Sequence, residues 1–276
     1  MNKQNLEDKL ITDFGNEWSS FDQINLSLEE KKKIFNDYFS IFPKNFLNKS
    51  NKGFDLGSGS GRWAYFIAPH VRELICIEPS KAIEVSKINL SQFNNIKFLR
   101  EKVSNLSIKN ESMDFGYSLG VLHHIIDTEE ALKICVNKLK IGAPFLLYLY
   151  YNLDNKPFIF RIIYKISNIL RLLISRLPFF FKKTICTIIA ISIYYPLARI
   201  CKFLKYFKIS TKNIPLSYYS DKSFYIMQND SLDRFGTKIE KRYSKKEITE
   251  MMIASGLTNI FFKDGFPYWV SIGFKK

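Results

Sequence analysis

This 276-residue chain is poor in the residues that build metal and disulfide sites. Its four cysteines, Cys76, Cys135, Cys186 and Cys201, are widely spaced, form no C-x-x-C pair and have no histidine beside them. Neither a metal site nor a disulfide framework is expected, and the thiols read as reduced groups of a cytoplasmic protein. Histidine is scarcer still, with three in the whole chain, so acid–base chemistry has few imidazole candidates. The start, MNKQNLEDKLITDFGNEW, contains acidic residues and no apolar h-region, which predicts no secretory signal. Long apolar runs are also missing: Thr184–Ala198 is uncharged for fifteen residues, interrupted by Thr, Ser, Tyr and Pro196, short of the about twenty that a spanning helix needs.

The most informative absence is acid. Between Asp154 and Asp221 stand twelve Lys or Arg and no Asp or Glu, so this stretch holds +12 of the formal net charge of +15. Within it, FIFRIIYKISNILRLLISRL gathers Arg161, Lys165, Asn168, Arg171, Ser175 and Arg176 on one side of a helical wheel, with aliphatic and aromatic residues opposite. That is a basic amphipathic helix. Arg199, Lys202, Lys205 and Lys208 repeat the theme. Nucleic acid is not the expected partner, because the basic residues alternate with large aliphatics and no groove-reading motif occurs. Two compatible readings remain: a helical lid that packs its apolar face on the rest of the protein, or a surface that docks on anionic lipid at the inner face of the membrane.

Outside this stretch, apolar runs of strand length alternate with amphipathic helices, the pattern of a mainly parallel α/β sheet. Strands are predicted at Gly53–Leu56, Glu73–Glu78, Ile96–Leu99, Met113–Ser118 and Ala143–Tyr151, with helices at 60–68, 80–92 and 128–139. In SLEEKKKIFNDYFSIF, Ser27 and Glu30 mark a helix start and Pro43 ends the segment. Near the C-terminus Ser244 and Glu247 form a second capping box, Gly256 suits a helix end, and two strands follow around KDG. The expected organisation is an N-terminal helical cap (1–50), a nucleotide-binding core (51–151), a basic helical insertion (152–243), and a helix and hairpin that complete the sheet (244–276).

FDLGSGSGRWAYF lies between a strand and a helix. Gly57, Gly59 and Gly61 let the backbone turn tightly and approach a ligand, and Glu78 ends the next strand, where a carboxylate can take both hydroxyls of a ribose. A dinucleotide fingerprint would want a third glycine at position 62, which is Arg62. The acidic residue, spacer and alternating glycines of DLGSGSG instead match class I S-adenosylmethionine-dependent methyltransferases, which the region 52–150 resembles, including the LHHI-D turn and the LK-GA loop. More narrowly, PLSYYSDKSFYIMQNDSLDRFGTKIEKRYSKKEI and GFPYW resemble a bacterial subgroup associated with surface-polysaccharide biosynthesis.

The resemblance implies a Rossmann-like, mainly parallel seven-stranded sheet with helices on both faces and S-adenosylmethionine as cofactor. Asp55 would hold the methionine amino group, Gly57, Gly59 and Gly61 would line the ligand, Glu78 would bind the ribose, and Pro79 and Ser80 would complete that loop. Relatives often place an acid after strand three for the adenine amino group; here Lys102, Val103 and Ser104 stand there, and Val103 and Ser104 are expected to serve, partly through their backbone. Ser118, Leu119 and Gly120 would face the methionine part. His123 and His124 follow strand four, on the ligand-binding edge of such a sheet. Either would act as base toward a small-molecule or glycolipid-like acceptor; packing or helix capping is the plainer role. Asp127 suits a helix cap. Tyr150, Tyr151, Asn152, Tyr218, Tyr219, Asp233 and Arg234 are candidates to shape the acceptor pocket, and Trp18 to fold over the cofactor. A chain that keeps this fold as a non-catalytic scaffold is the alternative.

Overall fold

The computed structural model describes residues 3–276. Seven strands form one sheet in the order β3-β2-β1-β4-β5-β7-β6. They are β1 (Lys52–Leu56), β2 (Glu73–Ile77), β3 (Ile96–Leu99), β4 (Phe115–Leu119), β5 (Pro144–Tyr148), β6 (Leu257–Phe262) and β7 (Val270–Lys275). Strands β1 to β5 pair in parallel, while β7 runs antiparallel to both β5 and β6. The central strands are buried on both faces, which is why they read as continuous apolar runs rather than alternating ones. The sheet is the Rossmann-like arrangement expected, and the order reverses between β1 and β4, where such sheets bind ligands.

Among the described residues, ten α-helices accompany it: α1 (Lys3–Ser20), α2 (Leu28–Phe39), α3 (Ala64–Ile67), α4 (Ala82–Asn89), α5 (Thr128–Lys138), α6 (Phe158–Ile174), α7 (Phe179–Ile189), α8 (Tyr195–Tyr206), α9 (Phe224–Gly236) and α10 (Lys245–Ala254). Helix α3 begins four residues later than its sequence suggests, because the left-handed backbone at Gly59 and Gly61 keeps the loop out of helical geometry until Ala64. Strand β4 starts at Phe115, where β1 first lies beside it; Met113 makes only an isolated bridge to Leu139. After Tyr148 the chain leaves the β5 ladder, and Tyr151 bridges to Tyr243.

Caps follow the sequence. Asp127 accepts from the Glu130 amide at the start of α5, and Ser27 does the same for Glu30 in α2. At α10 the capping box is complete: the Glu247 amide donates to Ser244 Oγ at 3.1 Å, and Glu247 Oε2 accepts from the Ser244 amide at 2.7 Å. Ser244→Ala is expected to cost about 1 kcal/mol and to lower Tm by about 3 °C, which thermal denaturation checks.

The chain divides into two compact units, one of residues 1–152 with 239–276, the other Leu153–Lys238. The first holds the sheet, with a core built on Phe54, Phe145, Leu132, Leu139 and Leu122, all fully buried.

In the second, α9 packs against α6 and α7. Helices α7 and α8 run on as one rod from Phe179 to Tyr206, 28 residues, through a wide turn at Ala190–Tyr194. Pro196 explains that turn, since it lacks an N–H and its ring needs the preceding carbonyl moved away. By length and mean hydropathy this rod is long enough to cross a membrane, unlike its uncharged stretch alone.

Candidate active site

The loop after β1 is tied to the end of β2. The amides of Gly57 and Ser58 donate to Ile77 O at 2.8 and 3.1 Å. Glu78 then binds both sides of the crevice: Oε2 accepts from the Gly59 amide at 3.1 Å and Oε1 from the Ser80 amide at 3.0 Å. Ser80 Oγ in turn accepts from the Ala82 amide at the start of α4. Burial raises the Glu78 carboxyl above its ordinary range, and the bonds from Ser80 and Gly59 offset part of that.

Gly57 and Gly59 have φ of +75° and +53°. A Cβ at Gly57 would stand 2.4 Å from Val121 Cγ2, and one at Gly59 3.1 Å from the Trp18 ring. Trp18 therefore lies against the loop, and the Arg62 guanidinium is 5.1 Å from the Trp18 ring centroid and 4.2 Å from that of Trp63. The residue that broke the dinucleotide pattern packs between aromatic rings.

Asp55 is buried, and neither carboxylate oxygen makes a hydrogen bond of good geometry. Its carboxyl is pushed up to about 8, first by burial and further by Glu78; Tyr117, its register partner on β4, and Arg62 pull the other way. A buried carboxylate without a partner is costly, and the Ser58 and Ser60 hydroxyls beside it in sequence are buried and unpartnered as well. Such a cradle suits a cationic amine with hydroxyl-bearing groups near it. The glycine loop that no Cβ would fit, the unmet Asp55 and the amide-held Glu78 are what an amino-acid nucleoside needs.

Residues 54–147 match the family described as "Methyltransferase domain". This segment of the chain is similar to a methyltransferase domain. S-adenosylmethionine is its cofactor. No curated protein matches the chain in sequence. Among solved structures it is similar to a possible exported protein from Bordetella parapertussis, at 13% identity and TM-score 0.51, covering 91% of this chain and 68% of that one. Others are an S-adenosylmethionine-dependent methyltransferase, possible histamine N-methyltransferase, from Thermotoga maritima (16%, TM-score 0.49, covering 94% and 100%) and the Haemonchus contortus phosphoethanolamine N-methyltransferase 1 (16%, TM-score 0.43, covering 53% and 33%).

The remaining predicted site residues are distributed unevenly. Ser118 Oγ donates to Leu56 O at 3.1 Å, so its hydroxyl braces β1 and its backbone is what it has to offer a ligand. Leu119 is buried, and Gly120, with φ +81°, donates its amide to Tyr148 O. Val103 is half-buried and Ser104 exposed in a short turn after β3, and the neighbouring Lys102 reaches Asp8 of α1 at 2.7 Å. Pro79 accepts from Arg100 Nε through its carbonyl at 3.5 Å.

His123 and His124 sit side by side after β4, with ring centroids 4.0 Å apart. His123 is fully buried, stacks on Tyr150 at 3.9 Å, and neither of its nitrogens has a hydrogen-bonding partner in the protein. Burial, with His124 and Arg242 adding, holds its pKa well below the ordinary range, so it is neutral. His124 Nδ1 lies 2.6 Å from Ile239 O. A carbonyl only accepts, so Nδ1 carries the proton and Nε2 the basic lone pair. Phe14 of α1 packs 5.0 Å from the His124 ring.

Several contributors escape a sequence reading. Tyr117 is found only through strand pairing. Asn89 joins the Asp22 and Ser60 carbonyls at 2.8 and 2.9 Å. Arg242 lies 5.2 Å from the Tyr150 ring and bonds Glu240 Oε1 at 2.8 Å and Tyr151 O at 3.1 Å. Of the acceptor-pocket candidates, Tyr150, Tyr151 and Asn152 belong to the first unit. Tyr219 donates to Asp230 at 2.9 Å, and Arg234 bonds Ser167, both inside the second unit, which also contains Tyr218 and Asp233.

Proposed function

We propose that the chain methylates an oxygen, with nitrogen or carbon as second choices, of a small-molecule or lipid-linked, sugar-like acceptor of the kind used in surface-polysaccharide biosynthesis. The observation that carries the methyl-transfer reading is the buried, unpartnered Asp55 beside a glycine loop closed by Glu78. Asp55 would hold the amino group of S-adenosylmethionine and Glu78 its ribose, with Val103 and Ser104 toward the adenine. When bound, the cofactor supplies an electrophilic methyl group on a sulfonium.

The protein's own contribution is alignment, water exclusion and a base. His124 is the better base, since its tautomer is fixed by Ile239 O and points a lone pair at Nε2. It would take the acceptor hydroxyl's proton as the oxygen bonds the methyl carbon and the S–CH3 bond breaks, leaving the neutral thioether S-adenosylhomocysteine. His123, neutral and stacked on Tyr150, is the positioning partner. The lipid-linked character of the acceptor is supported by the sequence resemblance and by the apolar, basic second unit.

Calorimetric titration with S-adenosylmethionine and S-adenosylhomocysteine, beside Glu78→Ala and an NAD control, tests the reading. Micromolar binding of the first two is expected, weakened about tenfold or more by the substitution, with no heat from NAD. Absence of binding from a folded sample would refute it and leave a non-catalytic scaffold.

A further inference from the structure

The second unit turns the wrong side outward for a soluble helical bundle. On α6, Tyr164, Ser167, Asn168 and Arg171 face its interior: Arg171 is buried, bonding Asn168 at 2.8 Å and the Thr237 and Lys238 carbonyls at 2.8 and 3.0 Å, while Arg234 lies over Tyr164. Ile159, Ile166, Ile169 and Leu173 of the same helix are each more than half exposed. The rod α7–α8 repeats this. Its small residues Cys186, Ala190, Ala198 and Cys201 are buried, whereas Phe180, Ile191 and Phe203 are 73%, 54% and 64% exposed. Apolar area of this extent on two helices marks a contact surface.

Charge selects the partner. Eight of the twelve basic residues between Asp154 and Asp221 are exposed, among them Arg161, Lys165, Lys183 and Lys202, with no acid in the stretch. A second copy would bring the same cations together with nothing in this segment to pair them. An anionic lipid surface takes both features, aliphatic side chains at the acyl boundary and cations at the headgroups.

We propose that the second unit docks in the plane of an anionic phospholipid bilayer through the outward faces of α6 and the α7–α8 rod. The rod lies on the bilayer and does not cross it. Its inner side is bonded to α9, Ser231 Oγ donating to Cys186 O at 2.9 Å, and insertion would drag Asp230, Asp233 and Arg234 into hydrocarbon.

The test is co-sedimentation of the full chain with phosphatidylcholine vesicles, with and without phosphatidylglycerol, at low and high salt. Binding is expected only with phosphatidylglycerol, reversed by salt and by alkaline carbonate. Each exposed cation near such a surface is worth about fivefold in partition. The quadruple variant Arg161→Gln/Lys165→Gln/Lys183→Gln/Lys202→Gln should therefore bind roughly six hundredfold more weakly, and Ile166→Glu/Ile169→Glu should also lose binding. Both variants replace exposed side chains, and an unchanged Tm shows that they fold. Equal binding to both vesicle types, no binding to either, resistance to carbonate, or a dimer in light scattering that Ile166→Glu/Ile169→Glu dissolves would each overturn the proposal. S-adenosylmethionine titration of the same samples tests cofactor binding separately, and either result is compatible with docking.

Discussion

Asp55→Asn is expected to stabilise the ligand-free protein and at the same time to remove most of its affinity for S-adenosylmethionine. The folded carboxyl is pushed up to about 8, chiefly by burial. In the unfolded chain it titrates near 4. Between these values the folded protein keeps a proton that the unfolded chain has released, so stability falls as pH rises from about 4 to about 8 and levels off above. Asparagine has no such proton. The gap in Tm between variant and parent should open across that window, with a ceiling on the order of 5 kcal/mol and about 2 kcal/mol, or roughly 6 °C, once water reaches the ionised group. Slope left in the variant belongs to other buried groups, chiefly Glu78, raised by burial and acting in the same direction, and His123, held low by burial and acting in the opposite one. Binding moves the other way. The cofactor's ammonium would favour ionised Asp55, so parent affinity should climb with pH up to the same value with proton release, while the variant binds about a hundredfold more weakly. Thermal denaturation and calorimetry in buffers of different ionisation enthalpy read both effects. A variant that melts lower and binds normally would make Asp55 a structural residue.

What the sequence discloses about this site is mostly local. The glycines of DLGSGSG, the carboxylate ending the next strand and the caps at Asp127 and Ser244 are encoded within a few residues of where they act, so spacing and backbone preference reveal them. The strand–helix alternation stops after Tyr151 and resumes at Ser244, whereas the second compact unit runs from Leu153 to Lys238. What escapes depends on tertiary pairing. His124 takes its tautomer from a carbonyl 115 residues away, and Tyr117 meets Asp55 only because β4 lies against β1. A helical wheel grouped Asn168, Arg171 and Ser175 of α6, which do turn inward, but it set Arg161 and Lys165 with them, which are exposed, and it could not tell which side faces inward. That was decided by Arg171 and Arg234, whose hydrogen bonds keep polar side chains inside the second unit.

Gly57→Ala should damage fold and binding together, for two reasons that can be separated. One is conformational: φ of +75° lies in the left-handed region and costs a non-glycine residue about 1–2 kcal/mol. The other is steric. The new methyl would stand 2.4 and 2.7 Å from the two Val121 methyl carbons, an overlap that typically adds about 1–3 kcal/mol. Together they predict a loss of about 3 kcal/mol, near 9 °C in Tm. Cofactor affinity should drop at least about tenfold, because the loop that presents the Gly59 amide to Glu78 must move. Gly142 is the internal control: its φ is +78° and nothing lies within 4 Å of a Cβ there, so Gly142→Ala should show the conformational cost alone and leave binding intact. Adding Val121→Ala to Gly57→Ala removes the methyls in the way and should recover the steric part, leaving a deficit close to that of Gly142→Ala. If the double variant recovers nothing, the loop is held by its backbone bonds to Ile77 and Val121 is a bystander; if it recovers fully, the left-handed turn is softer than its φ implies, and the close packing of β4's following loop against β1's is what shapes the cofactor cradle.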